Sequence, residues 1–402
     1  MTIQKAIANI DEVLNSTLNY DDTLDYQLTT DDCDWLEIAK SALEKQIPEK
    51  PIVNSDICHY VDYQEFSCPY CGKRIISRLG VDNAPLEIIK GTMLAVDEFG
   101  IDEAILLGDE NAINSCAKEN NIALKNTKVI NCTQVIDNCD DAKVVLRGKP
   151  DSSMAVGFKL LNDGEGDAFV SAGNTGAITV GATLITKRIK GVKRPAIASV
   201  MPSTSKPFVL MDCGANAECK SEYLYQFGLL VSIYMQNIFG VPNPTVALAN
   251  NGTEETKGTP TVKEAYNLMK SAPYNFIGNI EGRQIPFGDA DVVVADGFTG
   301  NLILKTYEGV AKALMQGIKN AFYKNTLSKL SYLGVRSGIN DMKAQFDYKE
   351  YGGAVMLGVK KPVIKAHGSA DARCFKNAIK QAVKFVQTDL IEKIEKELQS
   401  EE

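Results

Sequence analysis

The chain has 402 residues, 45% of them hydrophobic and 23% charged, with a formal net charge of −8. That balance belongs to a globular protein too long for one minimal core, so one large domain and something smaller are expected. The acidity argues against nonspecific attachment of the whole molecule to nucleic acid or to an anionic membrane. No apolar run reaches the roughly 18 residues a membrane span requires. The opening MTIQKAIANIDEV lacks the basic-then-apolar order of a secretory signal, so the cytoplasm is the expected compartment. Ten cysteines without regular spacing then read as reduced thiols, most of them packing residues.

Two amphipathic stretches open the chain. The apolar residues of IQKAIANIDEVLNSTL recur at helical spacing, and so do those of DDCDWLEIAKSALEKQI, whose leading aspartates suit a helix N-terminus. PEKPIVNSDI ends the second, because proline lacks an N–H and restricts its predecessor. CPYCGK follows, and its Cys68 and Cys71 are spaced to put two thiolates on one metal. A structural zinc needs four ligands, and the nearest completions, Cys33, Cys58 and His59, lack knuckle spacing. The stretch resembles half of the zinc ribbon of small proteins common in phages of Gram-positive bacteria, which carry a second Cys-x-x-Cys. Free thiols and no required cofactor are therefore expected, with zinc on Cys68 and Cys71 as the alternative. Residues 1–72 read as a helical, half-ribbon extension, and residues 73–402 as the principal domain.

Within that domain, short apolar runs are followed by glycine and asparagine and then by amphipathic stretches. EAILLGDE, AKVVLRGK, GDAFVSAGNTGA, KPFVLMDCGANAE, PTVALANNGTEE and ADVVVADGFTGN show the pattern. Near-continuous Val, Ile, Leu and Ala signal strands covered on both faces, and the alternation predicts an α/β fold with a doubly wound, Rossmann-like parallel sheet. Ligands in such folds bind beyond the carboxyl ends of strands, where glycine admits a close backbone approach and helix N-termini favour anions. Three such turns stand out: Asn174, Thr175 and Gly176 in SAGNTGA; Asp212, Gly214 and Asn216 in DCGAN; Asp296, Thr299, Gly300 and Asn301 in DGFTGN. Lys305 follows Asn301 by one helical turn, and Lys257 stands in GTEETKGT. Together they suggest a phosphate site. Dinucleotide, Walker A and Gly-x-Ser-x-Gly fingerprints are all missing from the sequence.

SAGNTGA, RPAIA, DCGAN, NFIGNIEGR, DVVVADGFTGNLILKTYEG, FDYKEYGGA and AHGS occur here in the order found in the PlsX family of phosphate acyltransferases. The resemblance covers about residues 79 to 390. It implies a three-layer Rossmann-like fold akin to phosphotransacetylases and isopropylmalate dehydrogenases, and a cytoplasmic homodimer working beside the membrane. It also implies transfer of a fatty acyl group from acyl carrier protein to inorganic phosphate, giving the acyl phosphate of phospholipid synthesis for a downstream membrane acyltransferase. Phosphate is itself a nucleophile and a thioester an activated donor, so an anion cradle and oxyanion donors are the main requirement. Lys257 and Lys305 are then the candidate cations, with Asp296, Asn301 and His367 as further catalytic candidates. Asn279 and Glu281 in NFIGNIEGR join the substrate contacts, as do Asp82 and Asn83 of VDNAP. The family opens this segment Val-Asp-Ala-Met-Gly-Gly-Asp-Asn-Ala-Pro, whereas Ser77 and Val81 replace its first aspartate and a glycine. That leaves open a fusion which keeps the fold as a binding or scaffold protein, and an acyl-coenzyme A phosphotransacetylase is a further alternative.

Two surface stretches suggest partners. TKRIKGVKRP holds Lys187, Arg188, Lys190, Lys193 and Arg194, a basic loop suited to an acidic carrier protein. FYKNTLSKLSYLGVRSGI sets Leu327, Leu330, Leu333 and Val335 among lysines and polar residues, a pattern that serves either a bilayer surface or dimer packing. A nucleic-acid partner is not expected of so acidic a head.

Overall fold

A computed structural model describes residues 84–401 together with two short strands, β1 (Glu65–Ser67) and β2 (Arg74–Ile76). The chain divides into two units, Met1–Ser77 and Arg78–Glu402. In the first, β1 and β2 pair antiparallel. Cys68, Cys71, Ser77, Val81, Asp82 and Asn83, and the two amphipathic stretches of the head, lie outside the described residues.

The second unit opens with α1 (Leu86–Phe99), which ends on Gly100 at φ +64°, where a side chain would be strained. Strands β3 (Ala104–Gly108) and β4 (Thr127–Asn131) pair in parallel around α2 (Glu110–Glu119) as a separate two-stranded sheet. AKVVLRGK forms no strand, because Asp141 accepts from the Lys143 amide and turns Ala142–Val145 into a short 3-10 helix. Helix α3 (Ser153–Asp163), strand β5 (Phe169–Ser171) and helix α4 (Thr175–Leu184) lead to the hairpin β6 (Ala196–Met201) and β7 (Phe208–Met211). Then come α5 (Ser221–Phe239), β8 (Thr245–Asn250), α6 (Pro260–Met269), β9 (Asn275–Glu281) and β10 (Val292–Val294). The long helices α7 (Gly297–Tyr323) and α8 (Thr326–Gln345) precede β11 (Gly353–Leu357), β12 (Val363–Ala366), α9 (Ala372–Gln387) and α10 (Leu390–Glu401).

Eight strands form the central sheet in the order β5-β12-β11-β6-β7-β10-β8-β9. Alternation along the strands assigns the two faces. Val209, Met211, Val292 and Val294 pack with Phe227, Leu230 and Tyr234 of α5 and Phe385 of α9. Leu210 and Val293 point the other way, into a cluster with Phe158 of α3, Ile178 of α4 and Ile303 and Tyr307 of α7. Burying each such large side chain contributes about 1.5–3 kcal/mol, which is why both faces must be covered. The result is the expected Rossmann-like arrangement of helices on both faces of a sheet.

The sheet is mixed rather than parallel. β6 pairs antiparallel with both β7 and β11, and β11 pairs antiparallel with β12. Apolar runs report burial, not direction. Direction follows the connections, and the short links between β6 and β7 and between β11 and β12 leave no room for a crossover helix. As a result β5, β12 and β6 run one way and β7, β8, β9, β10 and β11 the other.

Helices α7 and α8 form a hairpin exposing Leu314, Leu327, Leu330 and Leu333, each more than 60% accessible. No residue of α8 is buried. Among the described residues no helix is long and apolar enough to cross a membrane.

Candidate active site

Strand direction separates the glycine-rich turns into two groups. DCGAN and DGFTGN follow β7 and β10 at one end of the sheet, and the loop carrying Lys257 follows β8 there too. SAGNTGA and AHGS follow β5 and β12 at the opposite end. The sequence alone suggested a single convergence; the register shows two clusters, bridged by α7 as it crosses the sheet.

At the first end, the side chain of Asp212 is buried and surrounded by backbone. Its Oδ1 accepts from the amides of Ile197 at 3.1 Å, Gly214 at 3.1 Å and Ala215 at 3.0 Å. Its Oδ2 accepts from the Asn216 amide at 2.7 Å and from Asn216 Nδ2 at 2.9 Å. Burial pushes this carboxyl upward, and the amide donors pull the other way. Asn216 also donates to the Pro195 carbonyl at 2.9 Å, and its own carbonyl receives the Gly297 amide at 2.7 Å. Asp212 and Asn216 therefore hold the turn together.

Helix α7 is seated directly on that turn. Asp296 caps it, accepting from the Thr299 amide at 2.7 Å and the Thr299 hydroxyl at 3.1 Å. A Cβ on Gly300 would stand 2.0 Å from the Asp212 carbonyl oxygen, and one on Gly297 would stand 2.5 Å from that of Asn216. Asn301 is the exposed member, its amide group beside Gly214, which holds φ +122°. Lys257 is exposed in a loop pinned by Asn250 Nδ2 on the Lys257 carbonyl and by Asn279 Nδ2 on the Glu254 carbonyl. Asn279 Oδ1 is buried without a partner among the described residues. Glu281 is held by Arg283 at 2.7 Å and 3.0 Å.

At the other end, Asn174 caps α4 through the Ala177 amide and donates to the carbonyls of Asp137 at 2.9 Å and Asn138 at 3.2 Å. Those bonds leave its side chain occupied by the fold. Thr175 and Gly176 supply the first-turn amides of α4, which point out of the helix as anion donors. Beside the turn that follows β12, Lys305 and Glu308 lie one turn apart on α7, with Nζ to Oε2 at 3.0 Å. The other carboxylate oxygen of Glu308 is 3.5 Å from His367 Nε2. Burial alone would raise the Glu308 carboxyl, but hydrogen bonds from His367 and Lys305 and their charges hold it down at about 2. It is the anion that fixes both candidate catalytic groups, and the sequence reading missed it.

Ser369 completes this row. Its hydroxyl is 2.9 Å from His367 Nδ1, and its amide donates to the same nitrogen at 3.2 Å. The amide bond makes Nδ1 the acceptor, which puts the neutral ring's proton on Nε2, toward Glu308. Ser369, His367 and Glu308 share the composition of a hydrolase triad, but the Nδ1 lone pair is shared between the hydroxyl and the amide of Ser369, which ties the two residues into one turn after β12. The nearby thiols are not nucleophiles, since burial pushes Cys213 strongly upward and Cys374 up to about 11. Lys365, also missed by the sequence reading, stands in β12 with its Nζ on the Ala366 carbonyl at 2.6 Å. Burial and the Lys305 charge push its ammonium down to about 8. A lysine inside the apolar run PVIKAH was the signal that could have found it.

This end of the sheet thus carries the cations Lys305 and Lys365 and the start of α4, and its thiols are not activated as nucleophiles. Comparison with known proteins identifies the family. The model of a family described as fatty acid synthesis protein matches residues 74–393. The phosphate acyltransferase of Alkaliphilus oremlandii is 45% identical over 80% of this chain and 96% of its own length. That of Caldanaerobacter subterraneus subsp. tengcongensis is 43% identical over 81% of this chain and 97% of its own. In fold, the crystal structure of a phosphotransacetylase from Streptococcus pyogenes superposes with a TM-score of 0.51 at 18% identity, over 78% of this chain and 94% of that one. Matches of that extent and identity place the chain in the PlsX family of phosphate acyltransferases, which are enzymes.

Proposed function

We propose that this chain transfers a fatty acyl group from acyl carrier protein to inorganic phosphate. What supports the reading is the Lys305–Glu308–His367 cluster at the end of the sheet where α4 begins, with no thiol activated as a nucleophile beside it, so that the bound anion itself attacks. A phosphate oxygen forms the C–O bond to the thioester carbonyl, the C–S bond breaks, and the thiolate leaves and takes up a proton. The product, a mixed anhydride, is a reactive acyl donor suited to phospholipid synthesis, and a membrane acyltransferase would consume it in the next step. The test is phosphate-dependent thiol release by the full-length chain, comparing long-chain acyl carrier protein with acyl-coenzyme A. Release from the carrier protein supports the reading, and preference for the coenzyme would make the enzyme a phosphotransacetylase. Silence relieved only by combining Val81→Gly with Ser77→Asp would mean a scaffold protein impaired at its junction.

Lys187, Arg188, Lys190 and Lys193 are all exposed, and the Arg194 guanidinium stacks over Tyr223 at 5.9 Å. This basic edge on an acidic protein supports docking of the acidic carrier. Reversing Lys187, Arg188 and Lys190 together to glutamate should raise KM for acyl carrier protein at least tenfold and leave KM for phosphate unchanged. An unchanged carrier KM would sink the docking assignment.

The leucines of the α7–α8 hairpin support contact with the cytoplasmic membrane surface, with homodimer packing as the competing use of the same face. Flotation with anionic liposomes should be lost when Leu330 and Leu333 are both replaced by glutamate. Unaltered flotation of a variant that has become monomeric would assign the face to the dimer.

A further inference from the structure

Several lysines of the domain meet an acid: Lys206 meets Asp291 at 2.6 Å, Lys349 meets Asp371 at 2.6 Å, and Lys305 meets Glu308 at 3.0 Å. Lys365 is different. Its ammonium donates to the Ala366 carbonyl, and no carboxylate lies within ion-pair distance among the described residues. An ammonium taken out of water costs several kcal/mol unless a counter-charge meets it, and a single carbonyl leaves two of its three donors unused.

Strand geometry fixes where that charge points. Val363 lies in the cluster with α3, α4 and α7, whereas Ile364 and Ala366 lie in the cluster with α5 and α9. Two residues on from Val363, Lys365 shares its face. Its register partners are Ser171 of β5, which leads into the α4 turn, and Ala354 of β11. The charged groups that face it are Lys305 and Glu308 from α7, and Glu308 is already occupied by Lys305 and His367. Cys374 of α9 supplies no counter-charge, because its thiol is pushed up to about 11 and bonds the Gly352 carbonyl at 3.3 Å.

We propose that Lys365 is the partly buried cation of the acceptor site, and that inorganic phosphate is the counter-ion it lacks, bound on the face of the sheet where α4 begins. This rests on the reading of phosphate as acceptor. Lys305, tied to Glu308, then stands at the more exposed side of the same anion, where the thioester would approach.

The experiment measures melting temperature and calorimetric binding with inorganic phosphate alone, on the full chain and on Lys365→Met and Lys365→Arg. Wild type should bind phosphate and gain melting temperature with its concentration. Lys365→Met should melt at or above wild type in phosphate-free buffer, since it removes an unbalanced charge. It should also bind phosphate at least tenfold more weakly, while Lys365→Arg retains part of the binding. Phosphate binding by Lys365→Met equal to wild type, or no phosphate binding by wild type, would overturn the assignment. The acyl-transfer assay separates the two readings. Phosphate bound through Lys365 without transfer from any thioester would leave this site standing and remove the proposed reaction.

Discussion

Asp212→Ala is expected to cost about 4 kcal/mol, a large share of the roughly 5–15 kcal/mol that holds a domain of ordinary stability folded. The substitution removes the acceptor for the amides of Ile197, Gly214, Ala215 and Asn216 and for Asn216 Nδ2 at once. Each buried amide left unpaired costs about 1–3 kcal/mol, partly relieved where the turn loosens and admits water. The damage then spreads, because α7 rests on this turn through Gly297 and Gly300. Asp212→Asn keeps the shape but turns a donor toward donors, and about half the loss is expected. Urea denaturation of both variants checks this. A melting transition unchanged in Asp212→Ala, with activity abolished, would show that the carboxylate serves the reaction directly and that the turn holds without it.

The same residue shows how far the sequence could be read. Strand–glycine–helix order was visible in KPFVLMDCGANAE and ADVVVADGFTGN, and the structure places strands β7 and β10 and a helix start there. What the side chains do was not visible. Aspartate and asparagine after a strand suit an anion site, but they suit helix caps and turns equally, because both uses need short oxygen-bearing side chains beside free amides. Asn174, Asp212, Asn216 and Asp296 are each occupied by backbone or neighbouring groups. Thr175, Lys257 and Asn301, drawn from the same motifs, keep their polar groups outward. Strand direction was equally hidden, since Val, Ile and Leu report burial on both faces of parallel and antiparallel strands alike. Glu308 and Lys365 escaped notice because each sits in a stretch dominated by its element's pattern, KTYEG in a helix and PVIKA in a strand. The lysine inside PVIKAH was a signal for burial, but its relation to Glu308 arises only when α7 is laid across β12.

Glu308→Gln is expected to destabilise the protein most at neutral pH, with the loss fading as the solution is acidified, and to lower kcat by on the order of 10²-fold. The folded Glu308 carboxyl is held at about 2, below its ordinary value of 4.5, and its side chain is only 12% exposed. Between those values the unfolded chain binds the proton that the folded one refuses. The resulting stabilisation, about 3 kcal/mol at most, is complete above pH 4.5 and is lost as pH falls through 2. Part of it is screened, because the Lys305 partner is 55% exposed. Urea midpoints at pH 7, 5, 4 and 3 should therefore show wild type ahead of the glutamine variant, with the gap closing toward pH 3. A gap that stayed constant would mean that shape rather than charge holds the cluster. The kinetic loss has a separate cause: without the carboxylate, Lys305 and His367 keep their chemistry but lose their fixed positions. Such a loss should fall on kcat more than on KM for phosphate, whereas Lys365→Met should do the reverse. If the two variants gave the same kinetic pattern, the division of the cluster into a carboxylate that positions and a lysine that binds would have to be abandoned.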